Sequence, residues 1–179
     1  VARSRRSSRN GSPATTANDP STRDGTAPAG SDDRTVTSAA APVLRVSRPT
    51  DRLDAIVAFY QAAGLRILGR FEDHEGFDGV MLGRPGAAWH LEFTRCTGYP
   101  AGRAPTQDNL LVLYFPDRAE WNAAVAAMKA AGHAAIASFN PYWDRDGVTF
   151  EDPDAYRIVF QNGAWVEPES FHLAGRGTS

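Results

Sequence analysis

Carboxylates, guanidinium groups and a few hydroxyls stand in this chain at spacings that could do chemistry. In EDPDAYRIVF, residues 151–160, Glu151, Asp152 and Asp154 crowd together just ahead of an alternating stretch. Oxygen-rich clusters of this kind either ligate a hard cation or turn the chain. Asp152-Pro153-Asp154-Ala155 places Asp first and Pro second, as a type I turn prefers, so a turn is the expectation here. Glu92 alternates with Leu91 and Phe93 in WHLEFT, residues 89–94, which sets it on the opposite face of a strand from those two. A carboxylate so placed serves as a ligand anchor, as a general base, or as a satisfied buried acid. Arg45 and Ser47 alternate with Leu44 and Val46 in the same way. Arg157 and Gln161 flank Val159 at one parity and suit either a polar ligand or a solvated sheet rim.

Other groups read as less reactive. His90 shares the parity of Glu92, but a lone imidazole is assigned to packing or a hydrogen bond. His74, in Glu72-Asp73-His74-Glu75, has no second ligand beside it and reads as solvated loop. Cys96 lacks a neighbouring base and is not a nucleophile candidate. Tyr142 and Trp143, in Asn140-Pro141-Tyr142-Trp143, either stack on a planar ligand or cover a sheet edge. The sequence contains no Walker loop, no dinucleotide fingerprint and no nucleophile elbow.

Composition bounds the possibilities. The chain has 179 residues, 42% hydrophobic and 22% charged, which suggests one globular domain with a tail. A net charge of −2 does not suggest a nucleic-acid partner, and no apolar run reaches membrane-spanning length. A single cysteine excludes an internal disulfide and a cysteine-built zinc site, and fits a reducing, cytoplasmic setting. Residues 1–42 hold no aromatic, Leu or Ile, so they are expected to form a disordered tail. Arg3-Ser4-Arg5-Arg6 has no apolar core behind it, as a secretion signal would need. Residues 43–165 are the expected domain, with 166–179 as a C-terminal extension.

The elements that position these groups repeat. Residues 43–48 read as a strand, ended by Pro49. A helix follows, capped by Thr50 or Asp51, with Leu53, Ile56, Val57 and Tyr60 along one face and Gly64 past its end. Strands are expected at 66–71, 79–83 and 89–94. The order then restarts with a strand at 109–115 and a helix capped by Asp117, with Glu120 at the capping-box position. Gly132 ends that helix, and strands are expected at 134–139, 147–151 and 156–161. Asp51-Arg52 recurs as Asp117-Arg118, and Ala62-Ala63-Gly64 recurs as Ala130-Ala131-Gly132. The chain is therefore read as α+β: two tandem βαβββ modules, residues 43–95 and 108–162, forming a cupped, partly barrel-like mixed sheet with the helices outside.

These modules resemble the vicinal oxygen chelate superfamily, which includes glyoxalase I, bleomycin-resistance proteins and extradiol dioxygenases. The matching stretches are LDAIVAFYQAAG, WHLEFT, DNLLVLYF and GVTFEDPDAYRIVFQ. NPYW together with DHEGFDG is similar to a YycE-like bacterial subgroup. In metal-using members the resemblance implies one ligand on each of four strands, typically His, Glu, His and Glu. Carried over, those places fall near Arg45, and on Glu92, Asn109 and Val159. Only Glu92 is a strong ligand there, so no metal and no other cofactor is expected. Arg45 and Glu92 are instead expected to share the cup as an ion pair, structural or ligand-anchoring. The resulting reading is a small-molecule binder that pairs as a homodimer, with Arg45, Ser47, Glu92, Asn109, Tyr142, Trp143 and Arg157 around the ligand. Two alternatives are a metal-dependent lyase, isomerase or dioxygenase, and a metal-independent enzyme with Glu92 as the catalytic base.

Overall fold

Each module begins with a strand and a helix whose apolar stripe must be buried. A computed structural model describes residues 41–165, so nearly all of the expected tail and the extension at 166–179 lie outside the described residues. Module one comprises β1 (Leu44–Pro49), α1 (Leu53–Ala62), β2 (Arg66–His74), β3 (Phe77–Gly83) and β4 (Trp89–Cys96). Module two comprises β5 (Leu110–Phe115), α2 (Arg118–Ala130), β6 (Ala135–Ile136), a 3-10 turn (Pro141–Asp144), β7 (Gly147–Glu151) and β8 (Arg157–Asn162). The strand expected at 134–139 is much shorter, because only Ala135 and Ile136 pair with β7.

The strands form two four-stranded sheets, ordered β1-β4-β3-β2 and β5-β8-β7-β6. Within each, the first strand runs parallel to the last and the remaining neighbours are antiparallel. The α+β class and the tandem modules match expectation. The eight strands are hydrogen-bonded as two sheets with no closed barrel, and among the described residues β1, β2, β5 and β6 are the edges.

Both helices end in the same way. Gly64 and Gly132 each adopt a φ of 89°, the left-handed conformation that glycine takes without a Cβ penalty. The next amides, Leu65 and His133, then reach back to Tyr60 O and Met128 O at 3.0 Å. The helix starts differ. Asp117 accepts from Glu120 N at 2.8 Å, as its capping role requires. In α1 the Thr50 hydroxyl accepts from Arg52 N, and no side chain caps the helix itself.

One core serves both modules. Ile56, Phe59 and Tyr60 of α1 are fully buried with Val80, Leu82, Leu91 and Phe93 of the first sheet. Phe115, Phe150, Ile158 and Phe160 of the second sheet, with Val125 and Met128 of α2, complete the cluster. Each such side chain contributes about 1.5–3 kcal/mol when fully buried. Strand alternation therefore commits Val46, Leu91 and Phe93 inward and leaves Arg45, Ser47, His90 and Glu92 on the opposite face.

A polar clasp crosses between modules inside this core. The Asp152 side chain is completely buried, and Asp152 Oδ2 accepts from Arg48 Nη2 at 2.9 Å and from Tyr60 OH at 3.0 Å. Its Oδ1 accepts from the amides of Asp154 and Tyr156, both at 2.9 Å. The Arg48 guanidinium lies 3.9 Å from the centre of the Tyr156 ring and 4.9 Å from that of Phe93. Burial, the largest influence, raises the Tyr60 pKa far above its ordinary value of 10.0, so the phenol stays protonated and donates. Asp152 and Asp154 of EDPDAYRIVF thus do form a turn, closed by Ala155 N on Asp152 O at 2.9 Å, with Ala155 in the left-handed region, while Glu151 ends β7. Asp152→Ala is expected to cost about 3–5 kcal/mol, because it strands Arg48 without its buried partner. Urea denaturation measures this directly, and a loss below about 1 kcal/mol, the scale of an exposed pair, would contradict the clasp.

Candidate functional site

The open face of the first sheet gathers four polar side chains. The β1–β4 register sets Arg45 beside His90 and Ser47 beside Glu92. Arg45 Nη1 donates to Glu92 Oε1 at 3.0 Å and Arg45 Nε donates to His90 Nε2 at 2.9 Å. Ser47 Oγ donates to the other Glu92 oxygen at 2.9 Å. With Nε2 accepting, the hydrogen of a neutral His90 ring resides on Nδ1. Glu92 sits on an interior strand and its side chain is 12% exposed, whereas Arg45 on the edge strand is 52% exposed. Among the described residues, Arg45 Nε and Nη1 have protein partners. A pair this exposed contributes about 0–1 kcal/mol to stability, which leaves it free for another use.

Module two has no matching cluster. Its register sets Leu110 beside Arg157 and Val112 beside Val159. Leu110, and not Asn109, therefore occupies the place of Arg45. Asn109 lies one residue ahead of β5, where its amide donates to Thr106 Oγ1 at 2.8 Å and Thr106 O at 3.3 Å. Val159 occupies the place of Glu92 and is fully buried. Arg157 is also buried, and its Nε donates to Glu151 Oε2 at 3.3 Å.

Tyr142 and Trp143 lie on the 3-10 turn, which is locally held. Asn140 Oδ1 accepts from Tyr142 N at 3.0 Å, and the Asp144 carboxylate accepts from Ser138 N. The Ser138 and Thr149 hydroxyls meet at 2.5 Å. The Trp143 carbonyl, Gln161 Oε1 and Val159 all crowd the position where Gly147 lacks a Cβ. These contacts bring the turn over the open face of the second sheet, where Thr149 and Val159 are fully buried. Trp143 is half-buried and Tyr142 is 54% exposed. The structure thus brings Arg45, Ser47 and Glu92 together and adds His90. It sets Asn109, Arg157 and the aromatic pair in other contacts.

Between the edge strands β1 and β5 lies an apolar cavity of about 260 Å³. Leu44, Val46 and Leu91 line it from module one, and Leu111, Leu113 and Ile158 from module two, with His90 at its border. Sequence reading missed this cavity because no periodicity reports a gap between two edges.

The fold family implies a divalent metal near Glu92. The donor set does not fit one. Both Glu92 oxygens already accept hydrogen bonds, His90 Nε2 is taken by Arg45, and a guanidinium occupies the cation's side. Val159 offers no donor, and among the described residues no three His, Cys, Asp or Glu side chains converge.

Two βαβββ modules on a common core define a glyoxalase-like fold of the vicinal oxygen chelate superfamily. Residues 44–94 match the YycE-like N-terminal domain and residues 108–162 the YycE-like C-terminal domain. The chain belongs to the YycE-like family. It is 45% identical over 124 residues to the uncharacterised protein YycE of Bacillus subtilis (strain 168), covering 69% of this chain and 89% of that one. The crystal structure of a YycE protein of unknown function from the same species aligns with a TM-score of 0.66 at 43% identity, over 70% of this chain and 93% of that chain. The trypanothione-dependent glyoxalase I of Leishmania major shares the fold, with a TM-score of 0.53 at 21% identity, over 69% of this chain and 87% of that one. No helix among the described residues is long and apolar enough to cross a membrane.

Gly147→Ala tests the covered face. The new methyl would meet the Trp143 carbonyl and Gln161 Oε1, costing about 1–3 kcal/mol as overpacking does. Urea denaturation with near-UV circular dichroism should show the lower stability and an altered aromatic signal. An unchanged midpoint and spectrum would mean that the turn does not lie against β7.

Proposed function

We propose that the chain binds a small planar or partly anionic molecule on the open face of module one and does so without a resident divalent metal. The observation that carries this reading is the Arg45–Glu92 pair: a guanidinium on the carboxylate, with the arginine half exposed. Arg45 supplies the positive charge and the donor, Ser47 and Glu92 fix its position, and His90 holds the guanidinium plane through Nε. Binding or sequestration follows more directly than turnover, because both Glu92 oxygens are engaged before any ligand arrives. Tyr142, Trp143 and Arg157 belong to the neighbouring face and are not first contacts in this reading.

The setting proposed with it is a reducing cytoplasm and a homodimer. Cys96 is the sole cysteine, and among the described residues β1 and β5 are sheet edges.

Ligand-observed NMR with a panel of aromatic carboxylates, in buffer containing EDTA, tests the reading. Arg45→Ala is expected to weaken binding roughly tenfold, equivalent to about 1.4 kcal/mol. Binding unaffected by both Arg45→Ala and Glu92→Gln would overturn it. Metal-free turnover abolished by Glu92→Gln would instead establish Glu92 as a general base.

A further inference from the structure

The open face of module one continues past the polar cluster. Pro49 pairs with Thr94 as Ser47 pairs with Glu92, and Thr94 opposes Gly79 as Glu92 opposes Met81, so strand alternation keeps them all on one face. A cavity of about 600 Å³ opens there and shares no lining residue with the gap between β1 and β5. β1 lends it Pro49, β4 lends Thr94 and β3 lends Phe77. The β2–β3 turn adds Glu75, and the loop after β4 adds Tyr99 and Pro100. We propose that this cavity binds an organic ammonium ion, a cation with an alkyl or aromatic body, through the Glu75 carboxylate and the rings of Phe77 and Tyr99. This site stands apart from Arg45, which takes the opposite charge.

Size and construction come first. Small-molecule sites occupy roughly 300–1,000 Å³, and this cavity lies within that span. Its walls are tied down by hydrogen bonds. Both Asp51 carboxylate oxygens accept from Ala101 N, at 3.1 and 3.0 Å, which fastens the loop after β4 to the segment after β1. Tyr99 N donates to Cys96 O at 3.2 Å. The turn bearing Glu75 is held by Asp78 Oδ1, which accepts from Asp73 N at 3.0 Å.

Charge then selects the occupant. Phe77 is 43% exposed and Tyr99 is 76% exposed, so two aromatic side chains meet water beside one concavity. The face of an aromatic ring is electronegative and attracts a cation. Glu75 is the one charged residue lining the cavity among the described residues. Arg95, at the other parity of β4, is engaged with Asp78 at 2.6 Å. Carboxylate and rings therefore act in the same sense, and an anionic ligand is disfavoured by like charge. A bare metal ion is a poor occupant, because it needs several oxygen ligands and a single carboxylate lines the cavity. The apolar side chains of Pro49, Pro100 and Phe77 suit instead the alkyl or aromatic body of an ammonium.

Isothermal titration of the full chain with benzyltrimethylammonium, and with benzyl alcohol as its neutral counterpart, tests the assignment. The ammonium should bind, and the alcohol should bind roughly tenfold more weakly or not at all. Glu75→Gln is expected to weaken ammonium binding roughly tenfold, and Tyr99→Ala and Phe77→Ala roughly threefold each. Glu75 and Tyr99 are exposed, so the urea midpoints of their variants should hold, and a weakened affinity then reports the site and not the fold. Ammonium binding that persists in Arg45→Ala while falling in Glu75→Gln would support a site separate from the polar cluster. An ammonium that binds no more tightly than the alcohol would overturn the proposal. So would binding unchanged in Glu75→Gln, Tyr99→Ala and Phe77→Ala alike.

Discussion

A carboxylate with no exposure to water must have its charge answered inside the protein, and Asp152 is answered from both modules. Two backbone amides of its own turn hold one oxygen, and Arg48 and Tyr60 of module one hold the other. Desolvating such a group costs several kcal/mol, and only complete hydrogen bonding offsets that. The contact therefore tolerates little displacement of one module against the other. Arg48 lies on β1, the strand that also carries Arg45 and Ser47 on its other face. Fixing the inner face of β1 at Arg48 thus sets where the outer face presents its guanidinium. The same anchorage bounds the gap between β1 and β5.

The chain uses a guanidinium–carboxylate pair twice, and burial separates the two uses. At Arg48–Asp152 the side chains are 14% and 0% exposed, and aromatic rings stack on the cation. Solvent reaches little of this pair, so losing either partner leaves an uncompensated charge. At Arg45–Glu92 the arginine is half in water, and the pair is screened. The first pair is a fixture of the fold. The second is a polar surface that a ligand can engage without breaking the core. A valine at the place matching Glu92 in the second module, covered by the 3-10 turn, leaves that surface one-sided.

Much of this was legible in the sequence, for reasons particular to each element. Tandem Ala-Ala-Gly helix ends and alternating strands gave the modules, because helix termination and strand parity are local properties. Parity set the faces of Glu92, Arg45 and Ser47, and the family resemblance put Arg45 and Glu92 in one cup. Asn109 was displaced by one residue because the start of β5 depends on the loop hydrogen bonds to Thr106, which no periodicity encodes. His90 reads from sequence as packed or hydrogen-bonded, and its partner, Arg45, lies 45 residues away. The role of Asp152 was hidden for the same reason. Its turn is written in Asp-Pro-Asp-Ala, but its partners, Arg48 and Tyr60, are 104 and 92 residues distant. Strand 134–139 shrank to two residues because Asn140 and Asp144 recruit the following segment into a capped turn.

That Arg45 stands in for a cation at Glu92 is the claim on which the functional reading turns. Its most direct measurement is metal content: EDTA-stripped protein dialysed against Zn²⁺, Ni²⁺, Mn²⁺ or Fe²⁺ and assayed by elemental analysis. The account predicts well under one metal per chain for every ion, in the parent protein and in Glu92→Ala alike. One metal per chain that disappears in Glu92→Ala would contradict it.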